Sequence, residues 1–301
     1  MRVFVTGASG HIASAVIPEL ISAGHEVLGL ARSDDSAKAV AALGAEVRRG
    51  DLDDPEGIAE AAAESDGVIH LAFKHEALRD GDFMGAVAAD MAVMQAIGGA
   101  LVGTDKPFIN TGGTLMLALG GITGRPGTEE DVIAGGPRTD AANATIALAQ
   151  GGVRSSVVRL PPLVHSDLDH HGFGPTLIAL AREKGHSAYI GDGANRWPAV
   201  HTRDAGHLYR LALESAPAGS HLHAVADDGI PFREIAETIG ARVGVPAISA
   251  SPEEAPEHLG FLASFAHLDN PTSSVLTREL LDWEPTHPGL LADLEDGHYF
   301  V

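Results

Sequence analysis

Residues 3–14 read VFVTGASGHIAS. Val3, Phe4, Val5 and Thr6 are apolar or β-branched, the composition of a buried strand. They run straight into Gly7-Ala8-Ser9-Gly10, and an alanine-rich helical stretch from Ile12 to Ala23 follows. A glycine at the first position permits a tight turn, and one at Gly10 lets a ligand come up to the backbone. A small residue at Ala13 lets helix and strand pack closely. The helix then aims free N–H groups and its positive end back at the loop. This strand–glycine turn–helix order therefore points to a dinucleotide pyrophosphate, with Gly7, Ser9, Gly10, His11 and Ile12 as the contacting positions.

The pattern continues outward from that start. HEVLGLAR, AEVRRGDL, DGVIHLAF, PFINTGG and VRSSVVRLPP are short apolar strands separated by helical stretches near 36–43, 55–63, 82–102 and 139–150. Alternation of this kind predicts an α/β fold, a doubly wound parallel sheet covered by helices on both faces. After Pro161-Pro162 the character changes to a histidine- and aspartate-rich loop, a helix near 175–184, short strands, and a proline-rich tail. The expected organisation is a dinucleotide-binding domain over 1–165 with returns near 196–225. A smaller substrate domain takes 166–195 and 226–301.

At the end of the second strand an acidic residue would hold an adenosine ribose. The chain instead reads LARSDD, with Arg32 and Ser33 at that point. A guanidinium and a hydroxyl suit a 2′-phosphate, so NADP is expected over NAD. Asp51 and Leu52 after the third strand are placed for the adenine. Leu71, Ala72 and Phe73 after the fourth wall the cofactor cleft.

Composition narrows the function classes. The chain has 301 residues, 45% of them hydrophobic, enough for a substantial core. Its 20 basic residues stand against 41 acidic ones, a net charge of −21. That field repels phosphate backbones and anionic lipid, so neither nucleic acid nor a membrane surface is an expected partner. Cysteine is absent, which removes disulfides and thiolate chemistry. No signal-like segment precedes the first strand, and no apolar run approaches the roughly 20 residues of a membrane span, so a cytoplasmic location is expected.

TGASGHIA, RGDLDD, GVIHLA, VVRLPPLVH and NRWPAVHTRDAGHLY together resemble an extended short-chain dehydrogenase/reductase of the NAD(P)-dependent epimerase/dehydratase type, over nearly the whole chain. The resemblance implies a Rossmann sheet, a smaller C-terminal substrate domain, NAD(P), and hydride transfer at a carbonyl-type carbon. It places Pro161 and Leu163 beside the nicotinamide. The family's signature of a tyrosine followed four positions later by a lysine is missing. Tyr189 and Tyr209 are followed by Gly193 and Leu213, and Tyr299 runs off the end. Carried onto this chain, the family pattern puts Arg138 at the tyrosine position, Ala142 at the lysine position and Gly113 at the serine position.

Chemistry then has to come from other groups. Hydride delivery builds charge on the acceptor heteroatom, so Arg138 is the candidate electrostatic clamp, aided by Thr111 or Thr114. His165 is the candidate proton donor, since imidazole titrates near neutrality. His75, Tyr189, Arg196 and Trp197 are the candidate substrate contacts. The cluster His165, Asp167, Asp169, His170 and His171 has ligand-type side chains, but its irregular spacing reads as a polar loop rather than a metal site. The expected substrate is a small uncharged carbonyl or imine compound. A transient-redox epimerase or dehydratase and a non-catalytic NADP-binding redox sensor are the alternatives. Helices near 82–102 and 139–150 carry the small and apolar residues of a homodimer contact.

Overall fold

The computed structural model describes residues 1–74 and 82–300. Seven parallel strands form the main sheet: β1 Arg2–Thr6, β2 Glu26–Ala31, β3 Glu46–Arg49, β4 Gly67–His70, β5 Pro107–Gly113, β6 Arg154–Leu160 and, much later, β10 Ser220–His223. Their order is β10-β6-β5-β4-β1-β2-β3. The inner strands are buried along nearly their full length, as a sheet covered on both faces requires. From β1 the chain winds first toward β3 and then back through β4 toward β6. The reversal falls between β1 and β4, which pair from Val3↔Gly67 to Thr6↔His70. Their carboxyl ends open a crevice where α/β sheets bind ligands.

The covering helices begin where their caps dictate. In α2, Asp34–Ala42, the Ser33 hydroxyl accepts from the Ser36 amide in a reciprocal capping box. In α3, Pro55–Ala63, Asp54 accepts from Gly57 N and Pro55 occupies the first turn. α4, Phe83–Leu101, starts at Asp82, which accepts from Gly85 N. α1, Ala13–Ser22, lies on the other face beside α8, Thr202–Ser215. A Cβ at Gly206 would stand 3.0 Å from the Ala15 carbonyl carbon, so only glycine lets these helices approach so closely.

α4 corrects one expectation. At 19 residues and mean hydropathy 1.4 it is long and apolar enough to cross a membrane by length and composition. Its inner face packs on α3 and on α6, Thr139–Ala147, and it carries the buried Asp90.

The smaller lobe has a three-stranded sheet, β11-β9-β7, from β7 Leu163–His165, β9 Arg196–His201 and β11 Asp227–Pro231. A second pair joins β8 Ser187–Ile190 to β12 Ala247–Ala250. Helices α7 Phe173–Lys184, α9 Phe232–Val243 and α13 Leu290–Asp296 pack on them around Trp197 and Phe232. The domain limits therefore shift. β7 and β9 belong to the small sheet, and the chain returns to the large sheet at α8 rather than at residue 196, because β9 pairs with β7 and β11.

Candidate functional site

At the carboxyl end of β1, Gly7 has φ +67°, a left-handed conformation that costs any L side chain about 1–2 kcal/mol. A Cβ there would lie 2.8 Å from the Ala72 nitrogen and 2.9 Å from the Leu71 carbonyl carbon, so the turn is pressed against the end of β4. Gly10 N donates to Gly7 O at 2.9 Å, closing the loop. Among the described residues the amides of Ser9, His11 and Ile12 have no partner within the chain. Ser9 and Gly10 are exposed, His11 and Ile12 half-buried, at the positive end of α1. A cradle filled by any Cβ, with free amides at a helix N-terminus, fits a pyrophosphate.

At the far end of the crevice, Arg32 and Ser33 are exposed at the end of β2. The Ser33 hydroxyl is engaged as the cap of α2, which limits what it can offer a ligand. Arg49, at the end of β3, reaches the same corner. Its guanidinium donates to Ser33 O at 2.6 Å and to Asp34 at 2.9 Å. Asp51 lines the slot between β2 and α3, Leu52 packs partly buried against the core beneath it, and Lys74 pairs with Asp53 at 2.5 Å.

A third region lies on the other side of the glycine loop, beyond β4. A cavity opens between the end of β5, the short helix α5 (Leu115–Leu119) and the start of α6. Gly112 and Gly113 form its floor, Met116, Leu117 and Ile133 an apolar wall, and Arg138, Ala142 and Arg159 the polar side. Arg138 lies flat on the Phe73 ring, 3.9 Å from its centroid, and 3.8 Å from Asp90 Oδ2. Its Nη1 is buried without a hydrogen bond. Asp90 in turn accepts from His70 Nε2 at 3.1 Å, and the Thr6 hydroxyl meets His70 Nδ1 at 2.6 Å. This chain ties the arginine to the strands that carry the glycine loop. Desolvation lowers the Arg138 pKa, and the Asp90 carboxylate opposes that shift.

The NAD(P)H-binding family profile matches residues 7–103. A protein of Schizosaccharomyces pombe, described only as uncharacterised, is 47% identical over 100% of both chains. The 2-alkyl-3-oxoalkanoate reductase of Stenotrophomonas maltophilia is 29% identical over 82% of this chain and 77% of that one. Among solved structures, UDP-glucuronic acid 4-epimerase from Bacillus cereus superposes with a TM-score of 0.76 at 17% identity, covering 99% of this chain and 98% of that one. The chain belongs to the extended short-chain dehydrogenase/reductase family. It carries an NAD(P)H-binding domain over residues 7–103.

Within this short-chain dehydrogenase/reductase the structure sorts the predicted residues. It brings Arg138, Phe73 and Ala142 to one cavity, with Leu71 and Ala72 against the glycine loop. Thr111 stands at the edge but is engaged. Its hydroxyl donates to His70 O and accepts from Tyr209, each at 2.8 Å. Thr114 is fully buried and accepts from Asn270 Nδ2 at 2.9 Å, so its hydroxyl faces the C-terminal segment rather than the cavity. Pro161 and Leu163 are buried, and Leu163 belongs to the small lobe's core. His75 lies outside the described residues.

Four assignments are corrected. His165 is sealed, its Nδ1 donating to Asp293 at 2.8 Å and its Nε2 buried without a partner, so it is not placed to donate a proton to a substrate. Trp197 is fully buried with its ring edge-on to Phe232, a core residue and not a cleft wall. Arg196 is held by both oxygens of Asp269, at 3.0 and 2.8 Å. Tyr189 packs in the small lobe beneath Arg233. Of the loop cluster, Asp167 pairs with Arg203 at 2.7 Å and Asp169 accepts from Gly172 N at 2.8 Å. Sequence reasoning missed Arg49 and Arg159. Arg159 sits in VVRLPP, where a single charge inside a run of buried strand residues was the available signal.

Proposed function

We propose that the protein is an NADPH-dependent reductase of a ketone, aldehyde or imine. The observation that carries this is Arg138, a half-buried arginine whose Nη1 is buried and without a hydrogen bond, lining the cavity with Gly112 and Gly113. When bound, the dinucleotide supplies the hydride. Arg138 fixes the acceptor heteroatom and stabilises the charge that grows on it, a role its planar donor fork suits. Asp90 and Phe73 hold that fork in place, and the Met116, Leu117 and Ile133 wall excludes water from one side. Arg138 cannot readily release a proton, so protonation falls to solvent or to a group outside the α6 helix. The Stenotrophomonas relative is named for reducing a 3-oxo acid, which supports a carbonyl substrate.

The preference for NADPH rests on two guanidinium-bearing residues, Arg32 and Arg49, at the ends of adjacent strands. A homodimer belongs to the same reading. The outward side of α4 presents the small Ala88 and Gly99 between the longer Met84 and Gln95, a surface over which a second copy's helix can lie.

Consumption of NADPH with a panel of ketones, aldehydes and imines tests the reading. Turnover supports it. Tight NADPH binding with no turnover replaces it with a redox sensor, and redox-neutral conversion replaces it with an epimerase or dehydratase. For the dimer, a monomer mass by light scattering at micromolar concentration overturns the contact.

A further inference from the structure

We propose that the cavity over Gly112 and Gly113 is built for a substrate that carries a carboxylate, with Arg159 as the anion's seat and Arg138 at the reacting carbonyl. The inference deepens the reductase reading and rests on it for the reaction, though not for the binding.

The case starts from how this chain treats its arginines. Acids outnumber bases two to one, and most guanidiniums have found a carboxylate. Arg2, Arg48, Arg49, Arg125, Arg203 and Arg233 each have one within 3.2 Å. Arg154 and Arg278 donate to backbone carbonyls instead. Arg159 does neither. It is 7% exposed, on β6, and among the described residues no carboxylate is a hydrogen-bond or ion-pair partner.

Its hydrogen-bond partner is a neutral imidazole. His223 Nδ1 donates to Ser273 O at 2.7 Å, which leaves Nε2 as the acceptor for Arg159 Nη1 at 3.2 Å. Burial and the nearby guanidinium hold the His223 pKa down at about 3, so this ring takes up no proton at neutral pH. The contact fixes the arginine without cancelling its charge. The two acids that act on it through space, Asp131 and Glu129, do not hydrogen-bond to it, though Glu129 keeps a buried Oε2 without a partner. Asp131 is held by Arg125, and Glu129 Oε1 accepts from Thr277 N and Oγ1 at 2.8 and 2.6 Å.

The neighbouring backbone makes room for this side chain. A Cβ at Gly112 would lie 3.4 Å from Arg159 Cγ and 3.1 Å from Val157 Cγ1, so glycine leaves the path along the floor clear. Arg159 and Arg138 then line one cavity, and the second also has a buried donor without a hydrogen bond. Two fixed guanidiniums, neither hydrogen-bonded to a carboxylate among the described residues, stand beside an apolar wall and match a short or medium chain with a carbonyl at one end and a carboxylate near it. This replaces the expectation of an uncharged substrate with an oxo acid.

The test uses the full chain. Calorimetry on the NADP-loaded protein compares hexanoate, hexanamide and inorganic phosphate. Hexanoate binding at least 10-fold tighter than hexanamide, and weakening with Arg159→Met, is the expected result. Equal binding of acid and amide overturns the anion seat. Phosphate binding tighter than hexanoate overturns the carboxylate and assigns the seat to a phosphorylated compound. NADPH oxidation is then followed with 2-oxo, 3-oxo and 4-oxo acids and their methyl esters. The expected acid-to-ester ratio in kcat/KM exceeds 10, falls toward one in Arg159→Met, and recovers in part in Arg159→Lys, which guards against a folding defect. A ratio that survives Arg159→Met overturns the seat. If hexanoate binds as expected but no oxo compound is reduced, the anion seat stands and the reductase reading fails.

Discussion

The end of β1 and the end of β5 do their work in opposite ways. At β1 the backbone is the instrument. Gly7 must be left-handed, nothing larger fits against Ala72, and the ligand meets amides rather than side chains. At β5 the backbone only clears a floor, and the chemistry rides on Arg138 and Arg159, which come from different elements and 21 positions apart. The first region permits almost no variation in sequence. The second lets a family signature be removed and replaced, provided that new charges reach the same space.

The sharpest way to break this contrast is Gly7→Ala. The methyl group must either displace the Leu71–Ala72 backbone or open the turn, on top of a left-handed cost of about 1–2 kcal/mol. Cofactor affinity, read by NADPH fluorescence, is expected to fall by more than about 100-fold, which corresponds to roughly 2.7 kcal/mol. Affinity within threefold of the parent would show that the loop is an ordinary tight turn.

At the other region, Arg138→Ala is expected to lower turnover on a good substrate by about 10²–10³-fold, the usual effect of removing one transition-state donor, or roughly 2.7–4 kcal/mol. NADPH affinity should change little, because the glycine loop is untouched. Arg138→Lys should recover part of the loss, since a point charge lacks the planar fork. Parent-like turnover in Arg138→Ala would reduce the residue to a start for α6.

These two regions also differ in how far they could be read from sequence. The glycine loop was legible because its requirement is local. Strand, turn and helix lie within a dozen consecutive residues, and the sheet order follows from their repetition. The absence of the tyrosine and lysine was equally plain, and it led directly to Arg138. What could not be read was which polar side chains are already engaged. Thr114 looked available until Asn270, 156 positions on, was seen to donate to it. Trp197 and His165 looked like cleft residues because their segments were read as belonging to the dinucleotide-binding domain, His165 after the strand beside the nicotinamide and Trp197 where the chain returns from the substrate domain. Their pairing with each other in a separate sheet buries both. Arg159 was passed over for the converse reason. Its strand was recognised, but not that its partner would be a neutral histidine on β10.

The cofactor's far end gives a smaller effect. Arg32→Ala and Arg49→Ala should each weaken NADPH more than NADH, by about 10- to 150-fold for a lost charge-assisted contact of about 1.5–3 kcal/mol. Arg49 is already shared with Asp34 and Ser33 O, so its share should be the lesser. Equal weakening of both cofactors in both variants would remove the 2′-phosphate assignment.

The smallest expected effect concerns the seam behind the glycine loop, where His11 meets Thr202 at 2.8 Å and Asp169 at 3.5 Å. Burial raises the Asp169 pKa to about 6 from 3.8, and burial with neighbouring histidines lowers that of His11 to about 4 from 6.5. A carboxyl whose folded value lies above its unfolded one stabilises the fold while protonated, below about pH 4, and loses that contribution as the pH rises through 6. A histidine whose folded value is depressed does the reverse. Its contribution is complete above pH 6.5 and disappears as the pH falls toward 4. The two slopes therefore oppose each other between pH 4 and 6. Asp169→Asn removes one of them and keeps an acceptor for the Gly172 amide. The variant should gain about 1–2 kcal/mol at pH 7, because no charge is then buried at that position. Between pH 6 and pH 4 it should lose stability more steeply than the parent. His11→Gln should instead gain stability from pH 6 to pH 4, because only the Asp169 slope then remains. Urea midpoints at pH 4.5, 5.5 and 7 check both. Parallel pH profiles for parent and Asp169→Asn would show that the carboxyl is not strained by its burial, and that the seam holds the glycine loop by packing alone.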